Sequence, residues 1–267
     1  MSTEVPKAQR KPFSMIREFH MADWFTLGNA ISGTGALFSS MTFLQSGDVD
    51  RIYVACGLVL AALVFDILDG RIARWRQKSS AMGRELDSLA DVISFGIAPA
   101  VMSFAWGLSS LGRLGWAAGF MFVACAAMRL ARFNVLSASG SDKRYYVGMP
   151  SPAAAAVPAA TVFMFHQPLV DYRAALPALA VVLVPAVLMV STIKYRSFKD
   201  LDLKSRRSFR VLVIIAAGIV AIATHPKAVL LVATYTYLAS GFIGMAMTRF
   251  RRDRHPVEAP PQPPPVA

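Results

Sequence analysis

Residues 66–91 read DILDGRIARWRQKSSAMGRELDSLAD, and this stretch joins the ends of two long apolar segments. Its motif is Asp66-x2-Asp69-Gly70-x2-Ala73-Arg74-x8-Gly83-x3-Asp87-x3-Asp91. Spacings of three, four and seven residues place the first two aspartates and Ala73 along one face of a helix, and spacings of four place Gly83 and the last two aspartates along one face of the next. Two acidic stripes are therefore expected to face each other at membrane depth, where carboxylates are usually functional.

Four carboxylates brought this close repel one another in a low-dielectric setting. Each must be protonated, paired with a cation or bound to metal. Two Mg²⁺ or Mn²⁺ ions would supply the required positive charge, and these hard cations prefer oxygen ligands. The small residues Gly70, Ala73 and Gly83 would also let a ligand approach the backbone. The motif thus predicts a site for divalent metal and a ligand.

The chain is too apolar for an ordinary soluble domain, with 55% hydrophobic and 16% charged residues among 267 and a mean hydropathy of +0.47. Apolar runs of roughly 17 to 22 residues can cross about 30 Å of hydrocarbon. Such runs lie near 24–44, 52–70, 86–106, 114–135, 151–169, 174–193, 210–225 and 227–248. The fifth and seventh are short or interrupted by proline. We expect an all-α integral membrane protein with about eight transmembrane helices.

Most of the 28 Lys and Arg residues lie in the N-terminal arm, in the second-to-third, fourth-to-fifth and sixth-to-seventh connections, and in the C-terminal tail. By the positive-inside rule, this predicts a multi-pass protein of the cell (inner) membrane with both termini and the acidic motif in the cytoplasm. The net charge of +12 comes from short loops. It therefore indicates attraction to anionic lipid and no nucleic-acid partner.

Three regions are expected along the chain. Residues 1–23 form a cytoplasmic arm without a cleaved signal peptide, and an interfacial helix is predicted from Phe13 to Trp24. Residues 24–248 form the transmembrane domain. Residues 249–267 form a basic and then Pro-rich cytoplasmic tail that is predicted to be disordered.

The eight fixed residues of the motif match every position of the signature of the CDP-alcohol phosphotransferases, and the chain resembles that family. The resemblance implies a membrane enzyme that transfers a phosphatidyl group from a CDP-linked lipid to an alcohol and releases CMP. It also implies two divalent metal ions, Mg²⁺ or Mn²⁺, and a homodimer. The implied metal ligands are Asp66, Asp69, Asp87 and Asp91.

The resemblance assigns further roles around the metals. Asp91 would be a ligand, the catalytic base, or both. The residues implied to contact the CDP-lipid are Asn29, Gly70, Ala73, Arg74 and Gly83. From the residues alone, Arg74 has an alternative role as a topological cation, and Asn29 has one as a helix-capping residue.

Three stretches outside the motif resemble the phosphatidylserine synthases, the CDP-diacylglycerol–serine O-phosphatidyltransferases: Ser94–Pro99, Arg129–Asn134 and Tyr145–Pro152. Arginine is well suited to binding a carboxylate, so Arg129 and Arg132 could bind that of serine or the lipid phosphate. Alternatively, they extend to the interface as anchors. Asn134 and the 145–152 loop could close over the acceptor, or the loop could only begin the fifth span.

The leading hypothesis is therefore transfer of the phosphatidyl group of CDP-diacylglycerol to the hydroxyl of L-serine. One alternative keeps the reaction and changes the acceptor to glycerol 3-phosphate or inositol. Another is a cation or proton-coupled transporter that uses the intramembrane carboxylates. The transporter is disfavoured because all four acids cluster at the ends of two adjacent spans, which leaves no polar route to the opposite face.

Overall fold

The computed structural model describes residues 21–76, 81–138, 145–196, 221 and 223–254. This part of the chain is almost wholly helical. In chain order its elements are α1 (Met21–Ser46), α2 (Val49–Arg76), α3 (Ala81–Asp91), a π-helical turn (Val92–Ile97), α4 (Ala98–Trp106), a 3₁₀ turn (Leu108–Leu111), α5 (Arg113–Ala138), β1 (Tyr145–Val147), α6 (Ser151–Met164), α7 (Tyr172–Val190), β2 (Lys194–Arg196) and α8 (Pro226–Arg254).

Among the described residues, five helical segments are long and apolar enough to cross a bilayer. They are Val49–Ile72, Met82–Trp106, Arg113–Leu136, Tyr172–Val190 and Pro226–Gly244. Their outer faces carry large apolar side chains, including Val64, Phe120 and Val232. Such faces suit contact with lipid. The chain is therefore a multi-pass membrane protein with an all-helical membrane domain.

The structure does not confirm the count of eight spans. The first expected span, 24–44, lies in helix α1. Its Ser, Thr and Gly residues lower its hydropathy, so it is not one of the five segments. Most of the expected span 210–225 lies outside the described residues. So does most of the interfacial helix expected from Phe13 to Trp24, whose last residues begin α1. These two predictions remain predictions.

The helix that corresponds to the fifth expected span is shorter than the apolar run at 151–169. Helix α6 ends at Met164 and has 14 residues, so it is only about 21 Å long. Gln167 precedes Pro168 and is biased away from helical conformation, which explains why the apolar run outlasts the helix. Most of the alanines of α6 are buried, so this helix lies inside the bundle.

Helices α3 and α4 form one continuous rod with a widened π turn between them. Pro99 lies in the first turn of α4 and has no amide hydrogen for the usual bond four residues back. The preceding amide, that of Ala98, bonds instead to the carbonyl of Ile93, five residues back. Proline thus accounts for a π turn immediately after Asp91, and such turns are frequent at functional sites.

The π turn lies at the centre of the bundle. Phe95 is fully buried and packs with Ala62 of α2 and Ala155 of α6. On the opposite side, a Cβ at Gly96 would only just contact Ala126 of α5. Small residues on the neighbouring helices therefore make room for the turn and its aromatic ring.

A two-stranded antiparallel sheet joins two connections at the end of the bundle that carries the acidic motif. Strand β1 pairs with β2 in the register Tyr146 to Tyr195. Gly148 follows β1 with φ +83, and a Cβ there would overlap the carbonyl oxygen of Met189. Glycine is therefore required at this turn for two reasons, its backbone conformation and the close approach of α7.

Helix α8 continues to Arg254, six residues into the segment assigned to the tail from the sequence. No Gly or Pro occurs between Thr248 and Arg254 to end the helix, and the first proline of the tail is Pro256. The rest of the tail lies outside the described residues.

Candidate active site

The acidic motif folds as its spacing predicts. Asp66 and Asp69 lie on α2, and Asp87 lies on α3. One carboxylate oxygen from each of the three comes within 4.8 Å of the others. Because α2 and α3 are joined by a short connection, the end of one helix faces the start of the next, and their carboxylates converge on one point.

The fourth aspartate, Asp91, lies one turn further along α3 and is 8% exposed. The amide Nδ2 of Asn29 on α1 donates to its Oδ1 across 3.1 Å. The charge of Asp91 is within repulsive range of the three other carboxylates. Asp91 thus belongs to the same acidic site, although it lies outside the tight cluster of three.

Helix α1 also contacts the cluster of three. The hydroxyl Oγ1 of Thr26 donates to Oδ2 of Asp69 across 2.9 Å, and both residues are buried. Thr26 and Asn29 are three positions apart and so lie on one face of α1. This face supplies neutral hydrogen-bond donors to two of the four carboxylates.

Three of the four aspartates lack a cationic partner among the described residues. For Asp69, Asp87 and Asp91, the described residues supply no ion pair with Lys or Arg. The Oδ1 atom of Asp87 is buried and accepts no hydrogen bond from any of them. A buried acceptor without a donor is unfavourable, and a bound cation would satisfy it.

These features fit a divalent metal ion. Carboxylate oxygens within one coordination sphere, with an acceptor still unsatisfied, are what Mg²⁺ or Mn²⁺ binds. The oxygens come from two helices held by a third, so the site is built on rigid elements.

Space for a ligand lies next to the cluster. A Cβ built at Gly70, the residue after Asp69, would contact no atom of the described residues within 4 Å. Gly83 is half-buried, one turn before Asp87. The backbone of Ala73 and Arg74 is helical, but their side chains lie outside the described part, so their predicted contacts remain predictions.

The two arginines predicted to contact the acceptor differ in their surroundings. Arg129 is only 7% exposed; its Nη1 donates to the hydroxyl of Ser151 on α6 across 3.0 Å, and its guanidinium lies over the ring of Phe133. A buried guanidinium is well suited to binding an anion.

Arg132 contacts backbone. Its Nη2 donates to the carbonyls of Val147, Met189 and Ser191 at 2.8–3.1 Å, and its Nη1 donates to that of Val190 at 3.1 Å. A cation favours the carbonyl end of a helix. Arg132 therefore closes the C-terminal end of α7 and anchors the turn after β1.

Asn134 connects α5 to the acidic helix. Its Nδ2 donates across 2.8 Å to the hydroxyl of Ser88, which is adjacent to Asp87. The structure therefore brings Asn134 next to the site and places the segment after β1 against α7. It does not test what either contacts during a reaction.

Sequence reasoning assigned no individual role to four residues of this region: Thr26, Ser88, Ser94 and Ser151. Ser94 and Ser151 lie in stretches that carry the family resemblance, and Thr26 lies one turn before Asn29 on the same helix face. The hydroxyls at positions 88, 94 and 151 acquire their partners through helix packing.

Comparison with known proteins agrees with this geometry. Residues 19–192, which include all four aspartates and both arginines, match the family model for CDP-alcohol phosphatidyltransferase. The chain is 42% identical over 151 residues to a CDP-diacylglycerol–serine O-phosphatidyltransferase of Saccharomyces cerevisiae, and the match spans 54% of each chain, about half the length of the yeast protein.

Longer matches occur among prokaryotic proteins. A protein of the same name from Helicobacter pylori is 33% identical over 220 residues, which cover 82% of this chain and 88% of that protein. An archaetidylserine synthase of Methanothermobacter thermautotrophicus is 33% identical over 183 residues, 68% of this chain and 74% of the relative. The chain belongs to the CDP-alcohol phosphatidyltransferase family.

Proposed function

We propose that this protein is a phosphatidylserine synthase, which transfers the phosphatidyl group of CDP-diacylglycerol to the hydroxyl of L-serine and releases CMP. The observation that carries the proposal is the convergence of Asp66, Asp69 and Asp87 on one point, with Asp91 beside them, at the end of a membrane bundle. The relatives named for serine transfer come from a yeast, bacteria and an archaeon, which favours serine over another acceptor.

In this proposal Asp66, Asp69, Asp87 and Asp91 hold two divalent ions, Mg²⁺ or Mn²⁺. When bound, the ions would neutralise the diphosphate of the lipid substrate and the charge on departing CMP. The protein's own contribution is to fix the carboxylates before substrate arrives, and Thr26 and Asn29 do so by hydrogen bonds from α1.

Asp91 is proposed to be the general base. The serine oxygen bonds to the phosphorus of the phosphatidyl group as the bond from that phosphorus to the CMP oxygen breaks, and the hydroxyl proton passes to Asp91. Asn29 occupies one oxygen of Asp91 and so orients its carboxylate. A base held in one orientation needs less rearrangement when the acceptor arrives.

The nucleotide is proposed to lie along the connection between α2 and α3. The open space at Gly70 would admit the diphosphate, with Gly83 on the opposite helix. Ala73 would border the nucleotide, and Arg74 would contact its phosphates. Asn29 would contact the CDP-lipid as well as Asp91.

The acceptor is proposed to lie between Asp91 and α5. Arg129 would bind the carboxylate of serine, since its guanidinium is buried beside Ser151 and Phe133 and its planar fork matches the two oxygens of a carboxylate. Asn134 would close the same side through Ser88. The sequence prediction also includes Arg132, but four backbone carbonyls favour a supporting role for this residue.

The proposal places the protein in the cell (inner) membrane with the site and both termini in the cytoplasm, eight spans and an N-terminal interfacial helix. In support, the four basic residues outside the predicted cytoplasmic segments lie near the N-terminal ends of α2, α5, α7 and α8, away from the acidic site: Arg51, Arg113, Arg173 and Lys227. A homodimer is proposed from the family resemblance, and the mass of the purified protein in detergent tests it.

The deciding experiment is metal-dependent release of CMP by the purified protein with CDP-diacylglycerol and L-serine, glycerol 3-phosphate or inositol. Release with serine alone is expected. Release with another alcohol would keep the reaction and overturn the acceptor. No release with any acceptor, in folded protein supplied with Mg²⁺ or Mn²⁺, would favour the transporter alternative.

A further inference from the structure

The role proposed for Asp91 depends on the hydrogen bond from Asn29, and the backbone of Asn29 is itself fixed by a hydrogen bond from Ser94. Ser94 is fully buried in the π turn, three residues after Asp91, and its hydroxyl donates to the backbone carbonyl of Asn29 across 2.9 Å. Asn29 thus receives a hydrogen bond from Ser94 on its backbone and donates one to Asp91 from its side chain. Ser94, Asn29 and Asp91 form one chain of contacts between α1 and the α3–π–α4 rod.

This contact differs from those of two other buried serines, Ser40 and Ser103. Ser40 and Ser103 each donate to the carbonyl four residues back in their own helix, at 2.8 Å and 2.7 Å. That local bond is the ordinary choice for serine inside a helix. Ser94 instead bonds across to a residue 65 positions away, so its hydroxyl fixes one helix relative to another.

Packing around Ser94 leaves little freedom. A Cβ built at Gly33, one turn after Asn29, would overlap Oγ of Ser94 and lie 2.7 Å from its Cα. Glycine at this position therefore permits the backbones of α1 and the π turn to touch. Phe95, the next residue, packs with Ala62 and Ala155. The π turn is thus packed against α1 at Ser94 and against α2 and α6 at Phe95.

We propose that Ser94 is a positioning residue for the phosphatidyl transfer: by holding the backbone of Asn29, it sets the orientation of the Asp91 carboxylate. The inference rests on the proposed function, because it assigns Ser94 to the reaction in which Asp91 takes the proton. It also gives a physical reason for the Ser-Phe pair three residues after Asp91. Ser94 supplies the bond to α1, and Phe95 packs against α2 and α6.

The test compares Ser94→Ala with Ser103→Ala, which removes from the same rod a buried hydroxyl that donates to the carbonyl of Pro99 in its own helix. We expect Ser94→Ala to lower kcat about tenfold, the usual effect of one lost hydrogen bond to a positioned group, with KM for CDP-diacylglycerol and L-serine within about twofold of wild type. Ser103→Ala should keep kcat. Thermal unfolding midpoints of the two variants should be similar, because each loses one neutral buried hydrogen bond.

A double variant separates positioning from general packing. If Ser94 acts through the side chain of Asn29, adding Ser94→Ala to Asn29→Ala should lower kcat no further. Independent, multiplied losses would overturn the proposal. Ser94→Cys keeps the side-chain shape with a somewhat larger atom and a weaker donor, so it should show an intermediate kcat. If the alanine variant fails to fold, full activity of the cysteine variant would overturn the proposal.

The outcomes distinguish this inference from the proposed function. Wild-type protein that releases no CMP would defeat the proposed function. Active wild-type protein in which Ser94→Ala behaves like Ser103→Ala would defeat the inference alone.

Discussion

Thr26 donates its hydroxyl to Oδ2 of Asp69 across 2.9 Å, although 43 positions separate the two residues. The bond joins the first helix to the acidic motif at a buried point. A hydroxyl that donates to one oxygen of a proposed metal ligand fixes which oxygen remains for the ion. The helix before the motif is therefore part of the acidic site.

Thr26→Val, which keeps the side-chain shape and removes the donor, should raise the half-saturating concentration of Mn²⁺ by about 10- to 100-fold. Both CMP release and the Mn²⁺-induced shift in unfolding temperature measure this. Thr42→Val is the control, since the hydroxyl of Thr42 donates to the carbonyl of Phe38 in the same helix. Equal metal dependence in the two variants would contradict a role for Thr26.

Asn29→Asp should be more damaging than Asn29→Ala. The aspartate replaces a donor to Asp91 with a fifth carboxylate at a fully buried position. We expect kcat to fall about 10- to 100-fold in the alanine variant, as for other lost hydrogen bonds to charged groups, and further in the aspartate variant. Single-turnover CMP release measures both, and an aspartate variant that outperforms the alanine variant would refute this account.

Gly33→Ala should separate α1 from the π turn. Its Cβ has no room beside Ser94, so the free energy of unfolding should fall by about 1–3 kcal/mol. Gly57→Ala is the control, because a Cβ at Gly57 on α2 meets no atom within 4 Å, and alanine there should leave stability unchanged or raise it by up to about 1 kcal/mol. Unfolding in detergent, followed by heat or denaturant, compares the two.

The two arginines of α5 should respond differently to lysine. Arg129→Lys should raise KM for L-serine about tenfold with a smaller change in unfolding temperature, because lysine lacks the fork that binds a carboxylate. Arg132→Lys should lower the free energy of unfolding by about 2 kcal/mol, since one ammonium cannot replace four contacts to backbone carbonyls. A large rise in KM confined to Arg132→Lys would reverse the two roles.

Alkaline pH should lower the stability of the folded protein through Tyr195, which lies in β2. Burial raises the pKa of the Tyr195 phenol above its usual value of 10.0. The folded state therefore keeps this proton at a pH where the unfolded state releases it, so stability is complete below about pH 10 and falls as pH rises further. Tyr195→Phe should show a smaller fall in unfolding temperature between pH 9 and 11. Tyr172→Phe, which removes an exposed phenol, should decline as the wild type does.

Much of the site follows from local spacing. Asp66, Asp69 and Asp87 were expected to converge, and they do, because helical periodicity and a short connection suffice to bring them together. The membrane class also follows from composition, since runs long enough to cross a bilayer are visible without tertiary information.

What sequence reasoning missed depends on packing between distant helices. Nothing local to Ser94 shows that its hydroxyl reaches α1 instead of its own helix, as that of Ser103 does. The same holds for Arg132, whose backbone partners lie 15 to 59 positions away. The fifth span was expected to be short or interrupted by proline, but the end of α6 at Met164 was not predicted, because an apolar run does not reveal where its helix stops.

The acidic residues of the site and the sheet beside Arg132 come from distant parts of the sequence. Every carboxylate and its α1 donors lie within the first 91 residues, whereas the strand that pairs with β1 ends at Arg196. At synthesis rates of about 5–20 residues per second, the carboxylates emerge roughly 5–20 s before the sheet beside Arg132 can close. Within that interval the helix that bears Arg129 and Arg132 is also made, so the four carboxylates are the first part of the site to be synthesised and the contacts of Arg132 with β1 and α7 are the last to form.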